Sequence, residues 1–440
     1  MSDSEDYGFE YSDDDYAEGD VDIENQYYNS KGYLESNELS NALDGFLEVL
    51  DMEDEKGEWG FKALKQIVKL YYRMNDIDKM LESYGKLLEY SNSCSVTRNA
   101  AEKKIDSTLE FVSHSTDADL LHKFYSLTLQ GLEDAKNERL WFKTNIKLAN
   151  LWITMGEDDK AMDVLEGLKE TCLGEESRDD SKQGTQLLEV YALQIQLLSN
   201  ALVEPAGMDS NAQLHHRKEV LQKTYEQALA IKSAIPHPRI MGIIREYGGK
   251  MNMRFGRWEE AATDFFEAFK AYDEAGSANR TKSLKYLVLA TMMMESDVDP
   301  FNSQEARPYR TDPGVAAMTN LVQAYQACDI AMFESNVSHE DIAGDAFVAP
   351  YINDLRRNIS SKVILMSVGP YRRIKIDQIS TCLHPCTSTV DVNELLISLI
   401  VDGKMHGRID QIEGVLEIDR NSSSNDTFAA LKTWAENLQG

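Results

Sequence analysis

NDIDKM at residues 75–80 and GEDDKA at residues 156–161 are short turns from which the architecture of this chain can be inferred. Each places a turn-forming residue before a brief acidic loop that opens a new helix. Similar turns occur as NELSNA at 37–42 and TDADLL at 116–121, so that successive turns start 38, 41 and 40 residues apart. Because one helix pair cannot bury its own apolar face, a repeat of this length predicts helix pairs stacked into an α-solenoid.

The same pattern returns beyond the fourth turn. It is clear in FGRWEEA at residues 255–261 and fainter in CDIAMF at residues 328–333. Residues 201–216 (ALVEPAGMDSNAQLHH) interrupt the repeat and are interpreted as an insertion between helices. Pro236 and Pro238 mark a corner, because proline lacks a backbone donor and restricts the residue before it.

The pattern changes after Gly369. Residues 371–380 (YRRIKIDQIS) predict a short strand that leads into a helix, and residues 388–403 predict a second helix that ends at Gly403. Residues 404–418 (KMHGRIDQIEGVLEI) predict two short strands around a turn at Gly414. Two helices followed by a two-stranded wing indicate a winged-helix module. A linker then leads to a predicted last helix, FAALKTWAENL at residues 428–438, which we expect to dock against a partner.

The composition agrees with a mostly helical protein of more than one structural unit. The chain has 440 residues, of which 42% are hydrophobic and 27% charged, and only nine are proline. Its five cysteines are scattered and no apolar N-terminal stretch resembles a signal peptide, which predicts a reducing compartment, the cytosol or the nucleus. The longest strongly apolar stretch, residues 286–294, is far shorter than the roughly 20 residues that cross a bilayer, so we expect no membrane span.

Negative charge is concentrated at the N-terminus. The net charge is −30, and residues 1–24 contain eleven Asp and Glu but no Lys or Arg. Such a segment cannot bury enough apolar surface to offset its ordering entropy, so we predict a disordered acidic tail. Its role is either solubility or attachment to a basic surface of a partner, and it is a candidate for phosphorylation.

Residues 56–147 form a positive block in this acidic chain, with 15 Lys and Arg against 13 Asp and Glu. Within the block, Lys62, Lys65, Lys69 and Arg73 recur at offsets of 0, 3, 7 and 11, which places them on one face of a helix. A solvated helix face is a sufficient explanation for one such stripe. Binding of an anion is the alternative. Because the chain is negative overall, it could bind an anion only through a local cluster of cations such as this one.

A second stripe repeats the geometry of the first. Lys136, Arg139, Lys143 and Lys147 have the same offsets about two repeats later. Stacked helices could hold two such rows near each other and form a concave site for a polyanion. The candidate residues for binding a partner or an anion are Lys56, Lys62, Lys65, Lys69, Arg73, Lys136, Arg139, Lys143 and Lys147, and Arg98, Lys103 and Lys104 could extend the site.

Other kinds of site have weaker support. The sequence lacks HExxH, GxSxG, GxxxxGK(S/T) and GxGxxG, and we therefore predict no enzymatic activity and no intrinsic cofactor. Residues 382–386 (CLHPC) lack a second ligand pair at suitable spacing, which disfavours a structural zinc site. The second helix of the predicted winged-helix module carries Asp391, Glu394 and Asp402, which have the wrong sign for contacts with DNA phosphates.

Six stretches resemble one known family. They are DIENQYYNSK (22–31), EKGEWGFKALKQ (55–66), AKNERLWFKTN (135–145), IKSAIPHPRIMGIIRE (231–246), TDFFEAFKAYDEAGS (263–277) and HGRIDQ (406–411). On these stretches the chain resembles the PCI-domain scaffold family of COP9 signalosome subunit 2, from the acidic tail to about Asp419. It departs from the family pattern at residues 201–216, which are longer than expected, and at the C-terminus, which is short.

The repeats and the resemblance together predict an all-α fold, in which a TPR-like helical-repeat solenoid is followed by a PCI domain with a C-terminal winged helix. The expected domains are the acidic tail (1–24), the solenoid (25–255), the PCI domain (256–420) and a linker with a C-terminal helix (421–440). Within the PCI domain we expect a helical part at 256–365 and the winged helix at 366–420.

The resemblance also implies a function. It implies a non-catalytic scaffold of the COP9 signalosome that supports deneddylation of cullin-RING ubiquitin ligases by the isopeptidase subunit. The N-terminal solenoid would bind the cullin and the RING protein, with inositol hexakisphosphate as an interfacial ligand, and Lys62 matches the position of that contact. The PCI edge and the C-terminal helix would bind other signalosome subunits, in the nucleus and the cytoplasm.

Two alternatives stay open at this stage. A PCI subunit of the 26S proteasome lid would have the same architecture, although the acidic tail followed by ENQYY and EWGFKALKQ favours the signalosome. A winged-helix protein that binds nucleic acid is less favoured, because the second helix of the module is acidic.

Overall fold

The computed structural model describes residues 18–53, 55–91, 97–115, 117–135, 137–174, 180–202, 211–231, 237–296, 298–338, 342, 344–383 and 389–418. The chain divides into two compact units, Met1–Glu175 and Glu176–Gly440. Within the described ranges, no helix has the length and the apolar character that a membrane crossing requires. The predicted last helix at residues 428–438 lies outside the described residues.

The described part of the first unit is built from helices joined by short turns. Consecutive helices pack as pairs, the first with the second, the third with the fourth and the seventh with the eighth. The helices are α1 (Glu18–Glu35), α2 (Leu39–Met52), α3 (Glu58–Arg73), α4 (Ile77–Ser91), α5 (Arg98–Ser113), α6 (Ala118–Asp134), α7 (Glu138–Met155) and α8 (Asp158–Gly174).

Three of the four turns predicted in the first unit end their helices with the same backbone geometry. Asn37, Asn75 and Gly156 have φ of 63°, 60° and 78°, the left-handed conformation that glycine and asparagine adopt most readily. The amide that follows each of them donates to a carbonyl five residues earlier, as Glu157 N donates to Trp152 O at 2.9 Å. This Schellman arrangement satisfies the last carbonyls of a helix, which explains why the turn motif recurs.

The fourth predicted turn works through a side chain instead. Oδ1 of Asp117 accepts hydrogen bonds from the backbone N–H groups of Asp119 at 3.0 Å and Leu120 at 3.3 Å. Asp117 is therefore the N-cap of α6, and it satisfies amides that have no partner within the helix.

The first helix begins before the predicted end of the acidic tail. Residues 18–24 were expected to be disordered, but they form the first turns of α1. Ile23, Tyr27 and Ser30 of this helix are buried at helical spacing, and the ring of Tyr27 lies 5.5 Å from that of Phe46 on α2. Burial of Ile23 and Tyr27 on this face supports helix in an otherwise acidic segment. The rest of the predicted tail, residues 1–17, lies outside the described residues.

The second unit contains a further set of helices and one small sheet. Three short 3-10 segments also occur, at Pro300–Asn302, Arg307–Thr311 and Ala349–Tyr351. The main elements are α9 (Asp180–Ala201), α10 (Asn211–Ala230), α11 (Pro238–Arg254), α12 (Trp258–Glu274), α13 (Asn279–Met293), α14 (Pro313–Ala327), α15 (Ile330–Val337), α16 (Ile352–Val368), β1 (Arg373–Lys375), α17 (Ile376–Leu383), α18 (Thr389–Val401), β2 (Gly407–Asp410) and β3 (Val415–Ile418).

The predicted winged-helix module is present, and its sheet has one more strand than the predicted wing. The strand order is β1-β3-β2 with antiparallel pairing throughout, so that Leu416 of β3 lies opposite Ile374 of β1 and Ile409 of β2. Gly403 ends α18 with φ of 69°, and Gly414 turns the hairpin with φ of 63°. Both glycines lie where the sequence predicted them, because only a residue that tolerates positive φ fits these turns.

Helices α11 and α12 form a close pair. Pro238 is the first residue of α11, and His237 before it accepts a hydrogen bond from Arg239 N at 3.2 Å. Pro236, the other residue of the predicted corner, lies outside the described residues. A Cβ added to Gly249 of α11 would lie 2.7 Å from the ring of Phe265 on α12, so this contact requires glycine. The expected boundary at residues 255 and 256 falls between these two packed helices, and it stays a prediction.

One apolar core extends through most of the second unit. Its buried members include Phe265 of α12, Leu289 of α13, Leu321 of α14, Ile364 of α16 and Leu416 of β3. The winged-helix sheet therefore shares a core with the helices that precede it. This arrangement, with the helix pairs of the first unit, confirms the predicted all-α fold class.

Candidate functional site

From α3 to α8, charge is segregated between alternate helices. Helices α3, α5 and α7 together contain ten Lys and Arg against five Asp and Glu. Helices α4, α6 and α8 contain five Lys and Arg against eleven Asp and Glu. Since α3 contacts α5, and α4 contacts α6, the two sets follow the two layers of the helix pairs. We call α3, α5 and α7 the cationic layer.

Helix α3 contacts α5 through two lysines that lie over aromatic rings. Nζ of Lys69 lies 5.3 Å from the ring centroid of Phe111 on α5. In the opposite direction, Nζ of Lys104 on α5 lies 4.9 Å from the ring centroid of Phe61 on α3. Each cation is attracted by the negative face of the ring, so these contacts fix both lysines at the junction of the two helices.

Helix α5 contacts α7 through a shared carboxylate. Nζ of Lys143 and Nζ of Lys147 lie 2.9 Å from Oδ2 and Oδ1 of Asp106, respectively. Burial of Asp106 alone would raise the pKa of its carboxyl, but hydrogen bonds from Lys147 and Lys143 outweigh it and lower that pKa below its ordinary value. At the start of α5, Arg98 Nη2 also donates a hydrogen bond to Oδ1 of Asn137, the N-cap residue of α7, at 2.9 Å.

The two predicted basic stripes are therefore not isolated from each other. One stripe lies on α3 and the other on α7, and both helices contact α5. On the face of α3 opposite the first stripe, Leu64, Ile67 and Val68 are buried and Tyr71 is partly exposed. The site residue prediction itself, that these cations bind a partner or an anion, stays a prediction.

Lys62 is held at the start of α3 by a carboxylate and an aromatic ring. Its Nζ lies 2.8 Å from Oε1 of Glu58 and 3.9 Å from the ring centroid of Trp59. The hydrogen bond from Lys62 lowers the pKa of Glu58 and outweighs the opposite effect of burial. The rings of Tyr27 and Tyr28 on α1 lie 5.4 and 5.9 Å from that of Trp59, which anchors α1 beside this end of the cationic layer.

The start of α3 is fixed by an acceptor from the preceding segment. Oε1 of Glu53 accepts a hydrogen bond from Gly60 N at 2.6 Å, and Oε2 accepts one from Gly57 N at 3.3 Å. The carboxylate thus satisfies amides at the N-terminus of the helix and interacts favourably with its positive end. A Cβ on Gly60 would clash with Oε2 of Glu53, so glycine is needed for this approach of the carboxylate.

The other candidate cations are less uniform. Lys56 pairs with Glu89 of α4 at 2.9 Å, and Lys65 is half-buried. Arg73 and Arg139 are exposed, and neither forms an ion pair with another described residue. Lys136 lies outside the described residues.

Sequence reasoning missed the carboxylates that pair with cations of this layer. Asp106 lies between the stripes, and Lys62 and Lys143 each contact a carboxylate of their own chain, which weakens the prediction that both await an external anion. The presence of Asp106 within the positive block of residues 56–147 is a signal that could have suggested internal pairing. The alternation of charge between successive helices was also readable from the sequence once the helix bounds were known.

Chemically, the layer offers cations and hydrogen-bond donors. Multivalent charge of this kind suits a polyphosphate or an acidic protein surface, because several charge-assisted hydrogen bonds can form at once. Among the described residues, no group of three or more His, Cys, Asp or Glu could hold a metal ion. Residues 384–386 of the CLHPC stretch lie outside the described ranges.

The winged-helix module has the surface charge that the sequence predicted for its second helix. Of the three predicted carboxylates, Glu394 on α18 and Asp402 just after it are exposed, and the side chain of Asp391 lies outside what the structure describes. Several apolar side chains of this module are also exposed, among them Ile397 at 46%, Val401 at 78% and Ile412 at 98%. Exposed carboxylates beside apolar groups suit contact with protein better than contact with nucleic acid phosphates.

Comparison with known proteins identifies the family of this chain. The family model of the PCI domain matches residues 330–420. The chain is 48% identical to COP9 signalosome complex subunit 2 of Drosophila melanogaster, over 99% of this chain and 95% of that protein. It is 46% identical to the Caenorhabditis elegans protein of that name, over 96% of this chain and 83% of the relative.

A more distant relative shows the same coverage. The subunit of that name in Schizosaccharomyces pombe is 40% identical over 96% of this chain and 94% of its own length. The similarity thus includes both compact units and is not limited to the PCI match. The chain belongs to the family of COP9 signalosome complex subunit 2, as its sequence resemblance predicted.

Proposed function

We propose that this chain is a non-catalytic scaffold subunit of the COP9 signalosome that binds the cullin and RING part of cullin-RING ubiquitin ligases. In this proposal the cationic layer of the first unit supplies the client surface, with inositol hexakisphosphate as an interfacial ligand. The isopeptidase subunit, and not this chain, removes the ubiquitin-like modifier from the cullin. The chain would act in the nucleus and the cytoplasm.

The observation that carries the proposal is the junction of α3, α5 and α7. Two cationic helices contact the same third helix, and the three contain twice as many cations as carboxylates. A surface of this kind retains positive potential after its internal ion pairs are formed. It therefore offers a local target for an anion on a chain whose net charge is −30.

The internal ion pairs do not remove this capacity. The Lys143 and Asp106 side chains are 58% and 24% exposed, and those of Lys62 and Glu58 are 30% and 59% exposed. Exposed pairs of this type contribute only about 0–1 kcal/mol of stability. A bound polyanion can replace such contacts at small cost, and until then they hold the lysines in place.

Assembly with other signalosome subunits would use the second unit. The winged-helix sheet has two outer strands, β1 and β2, and α18 carries the exposed apolar side chains of Ile397 and Val401. Edge strands and exposed apolar groups are common elements of protein interfaces. The C-terminal helix predicted at residues 428–438 is a further candidate for this contact.

Charge reversal on the cationic layer tests the proposal. The variant Lys62→Glu/Lys143→Glu should lose most of its affinity for inositol hexakisphosphate and for a purified cullin–RING complex, since two attractive contacts become repulsive. Titration calorimetry measures the first affinity and a pull-down with the cullin–RING complex measures the second. Helix content by circular dichroism should stay that of the parent chain.

The matched control is charge reversal in the other layer. Lys86 and Lys160 lie on α4 and α8, where each pairs with a carboxylate close in sequence, Glu82 and Glu157. Lys86→Glu/Lys160→Glu changes the net charge by the same amount and should retain both affinities. Equal loss in both variants, or unchanged affinity of the first variant at low salt, would contradict the proposed site.

A further inference from the structure

We propose that a groove in the second unit binds a short segment of a partner protein in which an apolar side chain lies next to a carboxylate. The groove consists of two adjoining cavities, formed by α12, α13, the first two 3-10 segments and the end of α14. It shares no residue with the cationic layer or with the exposed apolar side chains of the winged-helix module. The site therefore goes beyond the proposed function, and its occupant is argued from shape and charge.

The first cavity has an apolar lining and a volume of about 520 Å³. Helices α12 and α13 contribute Phe266 and Leu287, and the segment after α13 contributes Met294, Val298 and Pro300. Leu287 is only 6% exposed, whereas Met294 and Val298 are 41% and 70% exposed. The cavity therefore has a buried floor and an open side, through which an apolar side chain can enter.

The second cavity continues the first and has a polar lining. Its volume is about 580 Å³, and it shares Val298, Asp299 and Asn302 with the first cavity. Its other lining residues are Arg310 and Gln326. An occupant whose apolar side chain fills the first cavity would thus place its next group beside Arg310.

Arg310 can accept a further acidic partner. Its side chain is 42% exposed, and its Nη2 lies 3.6 Å from Oδ2 of Asp299, which is longer than a hydrogen bond. Oδ1 of Asp299 accepts a hydrogen bond from Phe301 N at 2.9 Å, so this nearly buried carboxylate is fixed by the backbone. The guanidinium group has five donors in a planar fork that matches a carboxylate. Arg310 therefore favours an acidic group in the occupant.

Other charged groups at the edge of the groove are paired more closely. Glu295, between two lining residues, lies 2.6 Å from Nζ of Lys404. Nζ of Lys270 lies 3.1 Å from Glu267 and 4.4 Å from the ring centroid of Phe266, which lines the first cavity. Because these cations have their own carboxylates nearby, the charge preference of the groove depends mainly on Arg310.

The open side suits a protein segment better than a small molecule. Small-molecule sites bury roughly 70–90% of their ligand, whereas here two apolar lining side chains are exposed to solvent. Met294 has an unbranched, flexible side chain that can adapt to anchors of different shape. Met292 and Met293, 3% and 7% exposed, belong to the core and fix the end of α13 that presents Met294. A Leu or Phe anchor beside an Asp or Glu matches this surface.

Methyl NMR of the intact chain, labelled with ¹³C at its methionine methyl groups, tests the groove directly. The probes are two peptides of opposite chain direction, acetyl-Leu-Leu-Asp-Glu-amide and acetyl-Glu-Asp-Leu-Leu-amide. At least one should shift the Met294 signal to saturation, and Met294→Leu identifies that signal by removing it. Val298→Ser should weaken binding, because it removes apolar surface from the groove. Absence of a saturable shift at Met294 with both peptides would overturn the proposal.

Neutral peptides, with Asn and Gln in place of Asp and Glu, test the role of Arg310. Arg310→Gln should weaken binding of the acidic peptide about threefold or more and leave binding of the neutral peptide unchanged. Arg307→Gln is the matched control, since Arg307 is exposed on the same 3-10 segment but outside the lining of the groove. Equal affinity of the parent chain for both peptides, or equal loss in both variants, would refute recognition of a carboxylate.

A second copy of this chain is the competing occupant. Sedimentation velocity without peptide distinguishes it, and we expect the parent chain and Val298→Ser to sediment alike. The control is Val401→Ser, which changes an apolar side chain of similar exposure, 78%, on α18. A concentration-dependent dimer that Val298→Ser abolishes and Val401→Ser retains would assign the groove to self-association and overturn the proposal.

Discussion

At the scale of single residues, the position of Asp106 determines how strongly the cationic layer can attract an anion. Its carboxylate forms ion pairs with Lys143 and Lys147 of α7, with N–O distances of 2.9 Å in both cases. Asp106→Asn leaves both lysines without this negative partner and increases the local positive potential. We expect the affinity for inositol hexakisphosphate to rise, and the free energy of unfolding to fall by up to about 1 kcal/mol.

The stability that Asp106→Asn loses at neutral pH should become smaller as the pH falls. The folded-state pKa of Asp106 lies below its ordinary value of 3.8, because its hydrogen bonds to Lys147 and Lys143 outweigh the effect of burial. Its contribution is therefore complete above the unfolded-state pKa and is lost as the pH falls through the lower folded-state pKa. Denaturant unfolding at pH 7 and near pH 3 should show a difference between parent and variant that shrinks in acid.

A neighbouring carboxylate provides the control for this prediction. Glu110 lies one turn further along α5 and is exposed. Glu110→Gln removes the same charge, and its effects on affinity and stability should be smaller. If the two variants behave alike, the special position of Asp106 is refuted.

At the scale of elements, the residue with positive φ at the end of a helix determines where the chain reverses to form the second helix of a pair. Gly156 ends α7 with φ of 78°, and a Cβ at this position would have no heavy atom within 4 Å. Gly156→Ala therefore costs conformational energy without a steric clash, and should lower the free energy of unfolding by about 1–2 kcal/mol. Gly156→Asn should cost less, since Asn37 and Asn75 hold the same conformation in this chain.

A glycine inside a helix gives the opposite result and serves as the control. Gly167 lies within α8, and its added Cβ would likewise meet no heavy atom within 4 Å. Gly167→Ala should stabilise the protein by up to about 1 kcal/mol, because alanine has the higher helix propensity. Thermal unfolding of the two variants compares them directly, and equal shifts in the same direction would contradict this account of the turns.

At the scale of the whole molecule, a buried polar network joins helices on both sides of the expected domain boundary. Lys250 Nζ donates to Glu246 Oε1 at 2.6 Å, and Tyr272 OH donates to Glu246 Oε2 at 2.7 Å. Tyr225 OH on α10 likewise donates to Asp264 Oδ1 on α12 at 2.6 Å. These bonds link α10, α11 and α12 of the second unit through groups that are nearly excluded from solvent.

Removal of one charge from this network should be costly. Burial lowers the pKa of Lys250 although Glu246 acts to raise it, so the lysine depends on its partner to stay charged. Glu246→Gln leaves that charge unpaired, and should lower the free energy of unfolding by about 3–5 kcal/mol. Hydrogen exchange should increase in α11 and α12 and stay unchanged in α3, α5 and α7.

Two further variants separate the buried pair from an ordinary one. Glu246→Gln combined with Lys250→Met should recover much of the lost stability, because no buried charge remains. Glu267→Gln, which breaks the exposed contact of Glu267 with Lys270 at 3.1 Å, should have a small effect. A small effect of Glu246→Gln itself would mean that the pair contributes little.

The sequence by itself determined the local features of this protein. The turns at Asn37, Asn75 and Gly156, the basic stripe on α3, the corner at Pro238 and the hairpin at Gly414 follow from helical periodicity and from backbone preferences of single residues. These properties depend on neighbours within a few positions along the chain, so they can be read without a structure.

Only the tertiary structure decided which distant side chains meet. It placed α5 between the two basic helices, paired Asp106 with Lys143 and Lys147, added β1 to the sheet, and extended α1 to Glu18. Each of these results depends on the relative position of segments far apart in sequence. Periodicity shows which face of a helix is apolar or charged. The packing of that helix against others decides which side chains form ion pairs with its charged groups.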